Sequence, residues 1–322
     1  MTAPATPIDA AATVATGAAA GRRRSKPVHD RFGAFVERWL RAHTLLIYLF
    51  LYIPIVIVVV FSFNATERRV TQWAGFSFKW YESVLNDTVV QSALFNSFIV
   101  AISTAVIATI FGSMAALGLQ RAPKWFRTPF EALTFISIIV PEIVIALATL
   151  VFFSSTFDVL NPLLDLQLKL GFQTIIAAHA LFNISLVMLL VRARLSGMDR
   201  THVEASYDLY GTPWRTFWQI TFPQLLPAIV AGFLLSFTFS FDDYVITTFT
   251  TGAGTTTLPL YVFSTVRKGV TPATNAVAAI MLLITLTVLV VGQIMVARNS
   301  RRAGARGNDA GMAGMITDQN AG

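Results

Sequence analysis

The sequence predicts an all-α integral membrane protein with six transmembrane helices and both termini in the cytoplasm. Three observations carry that prediction. First, 55% of the 322 residues are hydrophobic and only 13% are charged, and mean hydropathy is +0.63; a soluble domain has no place to bury so much apolar surface. Second, six segments approach the ~20 apolar residues that a hydrocarbon layer of ~30 Å requires. Third, Lys and Arg are distributed unequally between alternate connections. With the N-terminus inside, 18 of the 24 fall on the inner side and six on the outer, the bias that cytoplasmic loops carry.

Residues 1–40 read as a disordered basic cytoplasmic tail. The first stretch is Ala, Thr, Gly and Pro, closed by Arg22-Arg23-Arg24-Ser25-Lys26. It has no Leu-rich core behind a basic start, so it is a poor signal peptide, and its cations suit anionic headgroups. The membrane domain is expected over 41–297, with spans at Leu45–Phe63, Ser92–Leu119, Phe130–Phe153, Thr174–Val191, Leu225–Phe241 and Asn275–Ala297. Pro54 and Pro141 lie inside the first and third and predict kinks that free carbonyls toward neighbouring helices or a cavity. Residues 298–322 read as a cytoplasmic C-terminal tail.

The outer connections differ in character. Residues 64–91 are aromatic, and 76–81 read as an interfacial helix at the headgroups. Residues 154–173 carry Asn161-Pro162 and a short amphipathic run. Residues 242–274 begin with Asp242-Asp243 and pass through TTGAGTTT.

The inner connection between the fourth and fifth spans, 192–224, is patterned rather than passive. Thr201 followed three residues later by Glu204 reads as a capping box, predicting a helix from His202 to Tyr210. Gly211 ends it, and Thr212-Pro213 starts a second short helix through Trp214 and Trp218. Pro223 and Pro227 bracket re-entry into the membrane. Two short helices at an angle form either an amphipathic hairpin on the inner leaflet or a knob seated in another protein; local physics favours neither.

Candidate chemistry lies in the acids. Glu142 follows Pro141 within the third span, where a carboxylate costs at least ~2–3 kcal/mol unless it meets a cavity or a partner. It reads either as part of a cation pathway or as a hydrogen-bond partner of a neighbouring Ser, Thr or Asn. Asp242 and Asp243, flanked by Phe241 and Tyr244, read as pathway groups or as a span end and a cap. Spaced carboxylates with aromatic faces suit a flexible polycation. His179 reads as a helix-to-helix hydrogen-bond partner, with a proton relay as the alternative. The 322 residues include no cysteine and four histidines, so thiolate chemistry is excluded and no His cluster exists. There is no G-x-x-x-x-G-K-[ST], H-E-x-x-H or G-x-S-x-G, which leaves ATP cradling and hydrolytic catalysis without a basis. Nucleic-acid binding is disfavoured because the cations flank spans.

Glu204-Ala205-Ser206, with Ile220 and Phe222-Pro223 at their spacings, resembles the EAA motif of permease subunits in binding-protein-dependent ABC importers. In that pattern a Gly stands six residues after the Glu; here Tyr210 holds the place and Gly211 follows it. VPEIVIALA in the third span, and FDDYVITTF, TTLPLYVFS and VRKGVTPATNA after the fifth, resemble permeases of spermidine/putrescine importers; matched segments cover most of 45–297. The resemblance implies the type I ABC importer permease fold and a coupling loop within 201–223, in which Glu204, Ala205, Ser206, Tyr210, Gly211, Trp214 and Pro223 meet an ATPase. It also implies a second permease as heterodimer partner, two ATPase subunits that use ATP and Mg, an extracytoplasmic binding protein, and a polyamine cargo, with no cofactor on this chain. The other readings are an importer of another small solute, a stand-alone secondary transporter and, with least support, an integral membrane enzyme.

Overall fold

The computed structural model describes residues 31–67 and 72–319. The basic run 22–26 and Arg68-Arg69 lie outside the described residues. Twelve α-helices are described: α1 Arg31–Phe61, α2 Lys79–Asn86, α3 Thr88–Arg121, α4 Lys124–Ile139, α5 Glu142–Leu164, α6 Phe172–Ser196, α7 Thr201–Asp208, α8 Pro213–Thr216, α9 Phe222–Asp242, α10 Val245–Thr250, α11 Leu258–Lys268 and α12 Pro272–Gln319. A π-turn, Phe217–Thr221, joins α8 to α9. Among the described residues, six helical segments are long and apolar enough to cross a membrane: Phe35–Phe61, Thr88–Arg121, Glu142–Leu164, Phe172–Ser196, Pro213–Asp242 and Pro272–Met295.

Several boundaries differ from the sequence expectation. Helix α1 is described from Arg31, within the stretch read as a tail, and runs unbroken through Pro54. Pro141 does more than kink the third segment. Val140 (φ −62°, ψ 131°) and Pro141 (φ −55°, ψ 135°) are both extended, because a residue before proline is driven out of the helical region. The result is two helices, and Glu142 opens α5 instead of lying in mid-span. The last helix continues past Ala297 to Gln319, through the stretch read as a tail. The aromatic outer stretch is helical only in the second half of 76–81. An Asn64–Phe76 bridge holds the first half extended, and the helix begins at Lys79.

The described residues fall into two compact units, divided between Val56 and Ile57. In the first, α1 carries an Arg41–Glu37 ion pair and a Trp39–His43 stack one turn apart. In the second, α3, α6 and α9 form the centre. Buried Ser97, Ala101, Ala105, Ala108, Gly112 and Ala116 make a small-residue stripe along α3, which lets helix backbones approach where lipid offers no hydrophobic drive between helices. A Cβ on Gly112 would lie 2.9 Å from the Ile184 carbonyl oxygen and from Val187 Cβ, and one on Gly232 of α9 would lie 3.1 Å from Val187 Cγ1. Fully buried Val187 is thus clasped between two glycine-floored helices.

The connection after α9 includes irregular backbone that side chains of two other helices tie down. Asn96 Nδ2 donates to the carbonyls of Gly254 and Thr256 at 3.1 and 3.0 Å. Leu258 N–H donates to Ser97 Oγ at 2.8 Å, and Thr174 Oγ1 donates to the Thr250 carbonyl at 2.7 Å. Non-helical backbone at membrane depth persists only when protein groups satisfy it, and α3 and α6 do so here. The Thr-rich TTGAGTTT supplies hydroxyls for its own turns.

Candidate functional site

Two regions hold the sequence-predicted residues, at opposite ends of the span Pro213–Asp242. At its start stands the α7 loop. Thr201 does not cap α7. Asp199 does so, accepting from the Thr201 N–H at 2.9 Å and from its hydroxyl. These bonds hold the exposed Asp199 carboxyl below the usual carboxylate range. The predicted capping box is therefore absent, and Glu204 has no hydrogen-bond or ion-pair partner among the described residues, so local capping leaves its carboxylate free.

The end of α7 is a Schellman turn. Gly211 N–H donates to the Ser206 carbonyl at 2.8 Å and Tyr210 N–H to that of Tyr207 at 3.0 Å. Tyr210 takes the left-handed conformation, φ +56°, at the place where the motif has glycine. The turn is thus kept, and a tyrosine bears the strain. Gly211 is needed for a second reason: a Cβ there would lie 2.4 Å from Ser206 Oγ and 2.6 Å from Ser206 O. Ser206 Oγ in turn bonds Thr216 Oγ1 at 2.8 Å, tying α7 to α8.

Replacing Tyr210 by Gly removes a conformational cost of ~1–2 kcal/mol, partly offset by glycine's ~0.5–1 kcal/mol of backbone entropy. Hydrogen exchange at the Gly211 amide should slow by a few-fold, whereas Tyr210→Ala should leave it near the parent rate.

The second short helix is not separate from the fifth span. Phe222 N–H bonds the Phe217 carbonyl in a π-turn, and helix continues through Pro223. The wider turn passes the ring of Pro223, which has no N–H to give, without breaking the rod. The loop is consequently a lever: α7, stapled through Ser206–Thr216, stands on the foot of a 30-residue helix, Pro213–Asp242. Ala205, Ser206, Gly211 and Pro223 line an open groove of about 600 Å³ on one side of α7, and Glu204 lines another of about 610 Å³. Trp214 packs edge-on to Trp218 and is 73% exposed, while Tyr210 is 97% exposed.

At the far end of α9 the acids meet two helix N-termini. Asp243 is buried, and its carboxylate accepts from Thr247 N–H at 2.8 Å, Thr247 Oγ1 at 3.0 Å and, more loosely, Ile246 N–H at 3.4 Å, which caps α10. His179 Nε2 lies 3.0 Å from Asp243 Oδ1, and its Nδ1 2.7 Å from Ser240 Oγ. The carboxyl of Glu142, at the start of α5, lies next to that of Asp243. No Ser, Thr or Asn side chain bonds it among the described residues. Positive helix ends favour negative charge, which accounts for two carboxyls in one place. His179 lies seven residues into α6, so the cluster is ~10 Å inside that end of the bundle.

The remaining predicted groups separate. Asp242 is exposed and accepts from Thr285 Oγ1 of α12 at 3.2 Å. Phe241, fully buried against Phe98 and Phe237, is core and has no open face. Tyr244 stacks on Phe263. Sequence reasoning missed Asn96, Ser97 and Thr174, which hold the 250–258 connection. Polar residues recurring inside apolar spans were the available signal.

Residues 108–304 match the family model described as binding-protein-dependent transport system inner membrane component. The spermidine/putrescine transport system permease protein PotC of Haemophilus influenzae is 36% identical over 260 residues, 80% of this chain and 96% of that protein. The putrescine transport system permease protein PotI of Escherichia coli K12 is 38% identical over 246 residues, 76% of this chain and 85% of that one. Among solved structures, a bacterial ABC transporter involved in import of the polysaccharide alginate aligns with TM-score 0.68 at 13% identity, over 84% of this chain and 99% of that chain. The MetNI methionine ABC transporter aligns with TM-score 0.53 at 14% identity, over 66% and 95%. At those identities the likeness is one of fold.

Proposed function

The chain belongs to the family of binding-protein-dependent transport system inner membrane components, and from that premise we propose that it forms part of a passage for polyamines in an ATP-driven importer. It is a permease subunit and not an enzyme. The observation that carries the proposal is the pairing of its two ends: an exposed, rigidly capped α7 lever at one and a carboxyl cluster at the other, joined by the single rod Pro213–Asp242.

The partners are a second permease, two ATPase subunits that hold ATP and Mg, and an extracytoplasmic binding protein. Both termini and the α7 loop lie in the cytoplasm, as the distribution of Lys and Arg argues, and the membrane is the plasma membrane of a prokaryote. Glu204, the Ser206–Gly211 turn and Trp214 seat in the ATPase. When ATP closes the motor dimer, the levers approach one another and tilt the rods. Glu142 and Asp242 then offer negative charge to the cargo's ammonium groups, while Asp243 and His179 hold the cluster in place. Names and cargo of relatives support polyamines over other small solutes; the acids agree, since an anionic cargo would be repelled.

Two measurements test this reading. A tagged chain purified from its own membranes should bring an ATPase with it; purification without one overturns the coupling role. In proteoliposomes holding the complete transporter, Glu142→Gln combined with Asp242→Asn should lower ATP-driven putrescine and spermidine uptake at least tenfold while the complex still assembles. Unchanged uptake would remove both acids from the passage.

A further inference from the structure

Where α3 and α12 begin, a polar cavity opens onto an apolar groove. The cavity, of about 250 Å³, is lined by Asp87, Tyr261, Thr265, Lys268, Thr271 and Thr274. The groove runs between Val90 and Leu94 of α3 and Val277 and Ile280 of α12. Val84 and Val277 line both, so the two are continuous. The spans Thr88–Arg121 and Pro272–Met295 start at this level, which puts the cavity at headgroup depth and the groove against their first apolar turns. Charges of both signs line the cavity and do not meet. Among the described residues Lys268 has no carboxylate within ion-pair reach, Asp87 included. Asp87 accepts from the Val89 N–H at 2.8 Å through Oδ1, which caps α3 and leaves Oδ2 unbonded among the described residues. Burial and, after it, the negative charge of Asp87 hold the Tyr261 phenol above its usual range, so its O–H remains a donor. Thr265 donates its proton to the carbonyls of Val262 and Tyr261 at 2.7 and 3.2 Å, so toward a ligand its oxygen can only accept.

We propose that the cavity and groove together hold one zwitterionic aminophospholipid. Its ammonium group lies against Asp87 and the threonine oxygens, its phosphate at Lys268, and one acyl chain along the groove past Val84 and Val277. Charge selects this occupant. A polyamine is wholly positive and would be opposed by Lys268, and a purely anionic lipid would meet Asp87. A zwitterion satisfies both, and the three N–H donors of an ammonium group match carboxylate and hydroxyl oxygens. The order of surfaces selects a lipid over a soluble zwitterion, because polar lining at headgroup depth gives way to apolar lining within the spans. Val84 and Val277, 5% and 2% exposed, belong to a packed core with Val90 and Leu258, so the floor of the groove is rigid. Neither Glu142, Asp243 nor His179 lines the cavity or the groove, and the inference is therefore independent of the cargo. Seated there, the lipid bridges the end of α11 to the start of α3 and braces the connection after α10.

The test is native mass spectrometry of the full chain, purified in detergent with the subunits that accompany it, stripped of lipid and titrated with phosphatidylethanolamine. Phosphatidylcholine of the same chains, which has no N–H to donate, and phosphatidylglycerol, which has no ammonium, serve as controls. Phosphatidylethanolamine should bind roughly tenfold tighter than either, the worth of one hydrogen bond to a charged group. Asp87→Asn should erase the preference for ethanolamine over choline while keeping the α3 cap, since asparagine caps as well as aspartate. Lys268→Gln, at an exposed position, should weaken all three lipids several-fold, because each carries the phosphate. An ethanolamine preference that survives Asp87→Asn overturns the assignment, as does phosphatidylglycerol binding as tightly as phosphatidylethanolamine. Displacement of bound phosphatidylethanolamine by putrescine would give the cavity to an amine cargo instead and overturn it equally.

Discussion

Gly252→Ala should lower the thermal midpoint of the purified transporter by roughly 6–12 °C, corresponding to ~3 kcal/mol in a folding unit of this size. The reason is a backbone contact that nothing can relieve. A Cβ at 252 would lie 1.8 Å from the Leu170 carbonyl oxygen, 2.5 Å from its carbon and 3.2 Å from Gly171 N. No side chain can rotate away, so either the 165–171 turn or the 250–258 connection must shift. Both are tied: Gly252 N–H donates to Thr255 Oγ1 at 2.9 Å, and the flanking carbonyls are held by Asn96 and Thr174. A shift of one ångström would break several of these bonds together. By contrast, Gly254→Ala is strained by its φ of +80° but meets no atom within 4 Å, so it should cost only ~1 kcal/mol. Equal midpoints for the two variants would show that the connection is not seated against Leu170.

Asp243→Ala should be as damaging by a different route, with a loss of ~3–5 kcal/mol in the same assay. It removes the cap of α10 and leaves His179, 1% exposed, without its carboxylate. Asp243→Asn keeps an oxygen that can accept from the Thr247 amide and hydroxyl, and loses only the charge facing His179, so it should cost about half as much or less. If the two substitutions proved equivalent, the cap would be unimportant and the charge alone would matter. Uptake should follow the same order, since loss of the α10 cap disturbs the surroundings of Glu142.

How much of this was legible in the sequence differs by region. The spans were legible because a long apolar run has one physical use at this length. The α7 turn was legible in outline: glycine was expected at 210, and the structure keeps the left-handed turn with Tyr210 in it, because Gly211 and the Ser206 carbonyl close the Schellman bonds whichever residue precedes them. The capping assignment was wrong by two residues. Asp199 and Thr201 both offer oxygen at a helix start, and only the backbone path selects between them.

The acids show the limit most clearly. Glu142, Asp242 and Asp243 were grouped as one kind of residue, but they occupy three environments: a helix N-terminus beside another acid, an exposed site under Thr285, and a buried cap. Adjacent positions at the end of a helix point in different directions, so sequence proximity says little about shared surroundings. Phe241 was placed with them on the same ground and is core.

What the sequence determined by itself is the solvent this chain lives in, the number of its crossings and the loop that reaches out of the membrane. Those follow from composition, run length and motif spacing, each a local or summed property. Only the tertiary structure decided that Pro141 breaks a span into two helices, that α8, the π-turn and α9 form one lever, and that Glu142, Asp243 and His179, far apart in the chain, share one cluster. These depend on which backbone groups find partners across the bundle, and that choice is made by packing and not by any one segment.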